Sequence, residues 1–264
     1  MTDGPQSEET VERAVPPLTG AVIAPGWALA YVAGVLLLNV GLVAASRTQA
    51  IVRPLVEVAK TLAPVGSAET LALATLTALV AMASYALMLV PAIAMAVTAR
   101  RRGLSFWAAV GLRRFEIGRT LKLAAVLVVG AFLATAVYAV LARALGVTVV
   151  GNAAELASGF RTGPAEIAIA FMLVGIVAPF VEEITFRGIV FPSLKASWGT
   201  APALLVSGAA FGVVHLQPTI AVPLALIGVG LAAIFLRTRS LWSAVIAHCA
   251  YNTVSLALAF LLIR

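Results

Sequence analysis

The chain has seven apolar runs, over about 21–45, 69–99, 121–145, 165–190, 200–217, 219–236 and 241–263. A helix needs about 20 such residues to cross a bilayer's hydrocarbon, so the fifth and sixth runs are short spans. The runs are continuous instead of alternating, which argues against a closed β-barrel. The pattern predicts an all-α fold, a polytopic transmembrane helix bundle of seven or eight spans. Residues 47–65, with Arg53, Pro54, Lys60 and Pro64, read as an interfacial segment or a broken helix. An eighth span fits there or beside Phe191-Pro192. Residues 1–20 are polar and proline-bearing and predict a disordered tail, so the membrane domain is expected over 21–264. No repeat of 20–50 residues is visible, and no pair of related halves of the kind many transporters carry.

Composition sharpens this picture. Of 264 residues, 62% are hydrophobic and 11% charged, against about a quarter charged in soluble domains. The mean hydropathy is +1.06. The net charge of +7 could suggest nucleic acid, but seven of the 18 basic residues lie between Arg100 and Lys122, linking two apolar runs. Such a loop is expected in the cytoplasm, against anionic lipid headgroups, and no nucleic-acid partner is expected. Residues 187–199 and 237–240 then fall on the same side. The outer segments 146–164 and 217–219 carry only Arg161, whereas 46–66, also outside, goes against the rule with three basic residues. No cleaved leader is expected, the small residues Val43–Ala45 being the one weak cleavage signal. Cys249 is the single cysteine, which excludes an intrachain disulfide and a four-cysteine zinc site.

Few polar residues lie inside the apolar runs. In "VEEITFRG", Glu183 and Arg187 are four apart and share a helix face, while Glu182 points about 100° away. In "SGAAFGVVH", Phe211 and His215 are four apart, and in "HCAYN" so are His248 and Asn252. These are the only two histidines, both within predicted spans. Each pair alone has a structural explanation, because membrane Glu–Arg, His and Asn side chains often just bridge helices. Three such pairs with little polar competition point instead to one shared site. Gly208 and Gly212 form a GxxxG that lets a neighbouring helix approach near His215. Pro179 removes a helical hydrogen bond just before the glutamates.

Arg187 would hold Glu183 and leave Glu182 as the freer carboxylate. A carboxylate in apolar surroundings holds a proton more readily than in water, which suits a general base near neutral pH. His215 would share the protons of a water, and His248 with Asn252 would offer donors to a developing oxyanion. Base, water and oxyanion donors together describe hydrolysis of an acyl bond, most simply a peptide. No serine or cysteine is placed as a nucleophile.

"EEITFR", "FGVVH" and "HCAYN" resemble, in order and spacing, the EExxxR, FxxxH and HxxxN motifs of the CAAX prenyl endopeptidase family. That family joins eukaryotic CAAX-processing endopeptidases with bacterial CPBP membrane proteins. The resemblance covers about 165–255 and implies an intramembrane endopeptidase of the bacterial cell membrane, with eight helices. It implies Glu182 as the water-activating residue, Glu183 and Arg187 as its flanking pair, and His215 as the group that positions or deprotonates water. His248 and Asn252 match the oxyanion pair, and Phe211 a substrate contact. The implied partner is a membrane-anchored or prenylated peptide or protein.

The residues leave metal dependence open. Glu182, His215 and His248 offer the two nitrogens and one oxygen of a catalytic zinc site. Against zinc, the ligands lie on three helices, and Arg187 ties up the Glu183 needed as base. Metal-free water activation is therefore expected, without a cofactor. The rival classes are a transporter, since intramembrane Glu, Arg and His also mark ion paths, and an immunity-type binding protein with a vestigial site.

Overall fold

The computed structural model describes residues 25–46, 53–54, 56–58, 60, 68–149 and 164–262. The predicted tail over 1–20 and most of the 47–65 segment lie outside them. The described positions at 53–60 have helical backbone. Every regular element among the described residues is helical. They are α1 (Pro25–Ser46), α2 (Ala68–Arg101), a short α3 (Phe106–Ala109) and α4 (Ile117–Ala144). A longer rod follows, made of α5 (Pro164–Met172), α6 (Ala178–Thr185) and α7 (Phe191–Trp198). Then come α8 (Thr200–Val213), α9 (Ala221–Thr238) and α10 (Leu241–Leu262).

Four stretches are long and apolar enough to cross a membrane: Ile117–Ala144, Ile167–Trp198, Pro218–Thr238 and Leu241–Leu262. Val126, Leu133, Val137 and Val140 of α4 face outward, as a helix bathed in hydrocarbon requires. This is an integral membrane protein. The fifth apolar run is not a full span: α8 has 14 residues, about 21 Å of rise. It turns back through 214–217 and a 3₁₀ turn at Pro218–Ile220 into α9. Leu216 in that turn has a φ of +56°.

The rod α5–α7 owes its shape to two prolines. A π-turn over Leu173–Val177 ends two residues before Pro179, and another over Phe186–Val190 ends two residues before Pro192. A proline has no N–H to give to the carbonyls four or five residues behind it, and the widened turn relieves the ring's clash with that backbone. Freed carbonyls in an apolar medium need new donors, and other helices supply them. Val174 O, five residues before Pro179, accepts from Asn252 Nδ2 of α10 at 2.9 Å. In α2 the same logic repeats. Leu87 O, four residues before Pro91, accepts from the Tyr31 hydroxyl of α1 at 3.1 Å. Thr185 Oγ1 donates to the adjacent Met88 O at 3.0 Å, tying α6 to α2.

The hairpin α8–α9 packs almost backbone to backbone. A Cβ on Gly208 would meet Val229 Cγ2 at 2.5 Å and Ala225 O at 2.8 Å. A Cβ on Gly212 would run into Ala221 O, and one on Gly228 would sit 3.0 Å from Gly208 Cα. The GxxxG thus does what its sequence implies, and its partner is α9.

Candidate active site

The two carboxylates of α6 have different surroundings. Glu183 and Arg187 are fully buried. Arg187 Nη1 donates to Glu183 Oε1 at 2.9 Å, and Nη2 donates to Gly228 O at 2.8 Å. The second contact depends on the glycine-lined approach of α8 and α9. The guanidinium also lies over the Phe211 ring, 4.7 Å from its centroid. A buried charge needs a partner and satisfied hydrogen-bonding groups. Here the carboxylate, a backbone carbonyl and an aromatic face serve the two Nη groups, while Arg187 Nε and Glu183 Oε2 have no hydrogen-bond partner among the described residues.

Glu183 has a second task. His248 Nδ1 donates to the same Oε1 at 2.9 Å. An ionised carboxylate only accepts, so Nδ1 carries the hydrogen and neutral His248 presents a lone pair at Nε2. His215 is set in the same way: its Nδ1 lies 2.6 Å from Phe211 O, a carbonyl that only accepts. Its Nε2 is therefore a lone pair too.

Both Nε2 atoms face Glu182. His248 Nε2 is 3.9 Å and His215 Nε2 4.0 Å from Glu182 Oε2, an atom with no hydrogen-bond partner among the described residues. Three acceptors converge with no donor between them. These separations are too long for direct hydrogen bonds and short enough for one bridging water. Glu182 and His215 side chains are 13% and 19% exposed, whereas His248 is at 4%. Glu182 Oε2 itself is buried.

The spacing bears on metal binding. Zinc bonds of about 2.0–2.2 Å give a tetrahedron whose edges are about 3.3–3.6 Å, shorter than either separation found here. Among the described residues, no group of three His, Cys, Asp or Glu is arranged to hold a metal ion.

Three sequence expectations change in form. His248, expected to donate to an oxyanion, spends its Nδ1 hydrogen on Glu183 and turns an accepting Nε2 toward Glu182. His215 was expected inside a span, but α8 ends at Val213 and the imidazole sits in the turn beyond. Phe211, expected as a substrate contact, is 1% exposed. Its ring packs at 4.8 Å from His215, 5.6 Å from His248 and 5.2 Å from Phe186. It forms the floor of the site. Asn252 uses one amide hydrogen on Val174 O and so pins the π-turn ahead of the glutamates. Its other hydrogen is the donor left for a ligand. The carbonyls of Val174 and Gly228 carry no side-chain signature, so sequence reading passes over them.

Residues 164–254 match the family model described as Type II CAAX prenyl endopeptidase Rce1-like. The protein named "Putative membrane peptidase YdiL" of Bacillus subtilis (strain 168) is 33% identical over 88 residues. That alignment covers 33% of this chain and 36% of the relative, so the chain spans about a third of the length of the curated relative it matches. No solved structure matches. The matched segment carries all three motifs and is similar to the CAAX-endopeptidase family.

Proposed function

We propose that this protein is an intramembrane endopeptidase that hydrolyses a peptide bond of a membrane-associated substrate through a water activated by Glu182. The observation that carries this reading is the convergence of Glu182 Oε2 with two imidazole lone pairs. A water placed between them donates hydrogen bonds to Glu182 and to one imidazole, and its oxygen lone pair is free to attack.

The steps balance without a cofactor. Glu182 takes a proton from the water, and the hydroxide oxygen adds to the substrate carbonyl carbon. The carbonyl oxygen becomes an oxyanion, and Asn252 contributes its remaining N–H. Collapse breaks the C–N bond, and the proton held by Glu182 passes to the departing amine. Glu183 acts through others, fixing the His248 tautomer while neutralised by Arg187. One of the two imidazoles, His215 or His248, accepts the water's second hydrogen. The long acceptor separations favour a water over a zinc ion at this point, so the reaction is expected to survive chelators. We take the substrate to be a peptide held at the membrane by a lipid or an apolar anchor, the bilayer to be a bacterial cell membrane, and the bundle to have eight spans.

The test uses the purified full chain in vesicles with quenched peptides ending in a CAAX sequence, farnesylated and unmodified. Cleavage is expected in EDTA, with a loss of about 10²-fold or more in Glu182→Gln, the scale of general-base catalysis. Equal rates in the Gln variant, or no cleavage of any peptide, overturn the reading.

A further inference from the structure

The proposed site is short of donors. Hydrolysis puts a negative charge on the substrate carbonyl oxygen, and preorganised N–H or O–H groups aimed at that oxygen are commonly the largest catalytic term. The donors around Glu182 are mostly engaged. His248 and His215 spend their Nδ1 hydrogens on Glu183 Oε1 and Phe211 O, so their free nitrogens accept. Arg187 spends Nη1 and Nη2 on Glu183 and Gly228 and is fully buried. Asn252 spends one hydrogen on Val174 O. Arg187 Nε has no partner either, but it is fully buried with the rest of that side chain, so one amide N–H remains accessible where acyl-transfer sites use two donors or more.

Tyr85 is placed to be the second. The helices α2 and α6 run in the same direction: Thr185 bonds Met88 O, and Gly188, three residues on, lies against Val110, beyond the end of α2. One turn back from Met88 is Tyr85, and one turn back from Thr185 is Glu182. The two side chains therefore stand at the same level on facing helices. Tyr85 packs against the apolar cluster that holds Val181, Phe186 and Phe211, the side chains around the glutamates and the site floor. Among the described residues the Tyr85 O–H has no hydrogen-bond partner. The residue is half-buried and its hydroxyl oxygen is not sealed off, so a ligand can reach it. Its neighbour Tyr31, by contrast, is committed to Leu87 O.

We infer that Tyr85 is a further catalytic residue of this site, its phenol O–H donating a hydrogen bond to the substrate carbonyl oxygen as it becomes an oxyanion. The inference rests on the peptidase reading. Tyr85 keeps its proton throughout; Glu182 alone takes and returns the water's. The carbonyl oxygen then lies between Tyr85 on α2 and Asn252 on α10, with the carbonyl carbon toward Glu182. That orientation turns its carbon toward the water.

The experiment compares wild type, Tyr85→Phe and Tyr31→Phe in the vesicle assay, with thermal unfolding of each. Tyr85→Phe keeps the ring and its packing and removes only the donor. It should lower kcat by about 10²–10³-fold, the measured range for one oxyanion donor, with KM and unfolding temperature close to wild type. Tyr31→Phe loses a helix tie and should lower the unfolding temperature while keeping most of kcat. Full kcat in Tyr85→Phe overturns the inference and leaves the peptidase reading standing, as do a rise in KM alone and a joint loss of stability and rate. Wild type without cleavage fails the underlying reading instead.

Discussion

At the scale of single residues, Glu183 is the joint on which the site turns. One oxygen, Oε1, receives Arg187 Nη1 and His248 Nδ1 together, in full burial. Glu183→Gln should therefore do two kinds of damage. It leaves Arg187 as an uncompensated buried charge, a loss of about 3–5 kcal/mol, and it gives His248 an ambiguous partner. The kinds separate in a double variant, Glu183→Leu with Arg187→Met. Removing both charges should recover most of the stability, since apolar replacement of a buried pair is often neutral. Cleavage should stay low because nothing fixes the imidazole. Unfolding temperature and turnover, measured on both variants, check this. The identity of the polar set was legible in the sequence, because each residue violates the apolar rule of its own run. The division of labour was not. Helical spacing joins Glu183 to Arg187, but only the folded chain reveals that Glu183 also holds His248, 65 residues away. Phe211 was misread for the same reason: spacing puts it on the histidine's face without saying that this face is buried.

At the scale of elements, backbone economy explains more than side-chain pattern does. Prolines 179, 192 and 91 each mark a place where a helix releases carbonyls, and Asn252 and Tyr31 each take up one released oxygen. Pro179 was readable as a perturbation in the sequence, and the asparagine as a polar intruder. That the two answer each other was not readable, because they lie 73 positions apart. The short fifth run was legible as too short, yet the hairpin it forms was not. The depth problem this poses is instructive. His215 stands about 22 Å along from Thr200 and His248 about 10 Å along from Leu241. Both reach Glu182, so α8 and α10 cannot start level and run parallel. The contact of α8 with α9 makes a sharp prediction. Gly208→Ala should push α9 away, because its Cβ has no room. It should cost about 1–3 kcal/mol, the usual range for overpacking, and loosen Gly228 from Arg187. Gly130→Ala on α4, where nothing lies within 4 Å, should cost nothing. Unfolding of the two variants in one detergent tests the contrast.

At the scale of the whole molecule, charge is gathered at one end. Arg100, Arg101 and Arg102 close α2, and Lys195 lies in the last turn of α7, which runs the same way. The loop after α3 joins them. Leu241 N donates to Gly111 O, and Ser240 Oγ to Arg113 O, each at 2.7 Å, so the loop bearing Arg237 and Arg239 lies at the same end as Arg113 and Arg114. Thr120 and Ser243 share a buried hydrogen bond of 2.9 Å, which keeps Arg119 and Lys122 at the same level. Ten of the 18 basic residues thus lie around this one end. The sequence supplied the charges and the loop between the runs; the contacts bring the separate loops together. By the positive-inside tendency this end is expected to face the cytoplasm. Ser105 tests the assignment better than its neighbour Gly103, whose φ of +69° would strain a side chain. Ser105 is exposed, and its hydroxyl makes no capping bond. A Ser105→Cys substitution in a Cys249→Ala background leaves one thiol in the chain. It should resist a membrane-impermeant maleimide in intact cells and react once the membrane is opened. Labelling in intact cells would put the basic end outside and overturn the assignment.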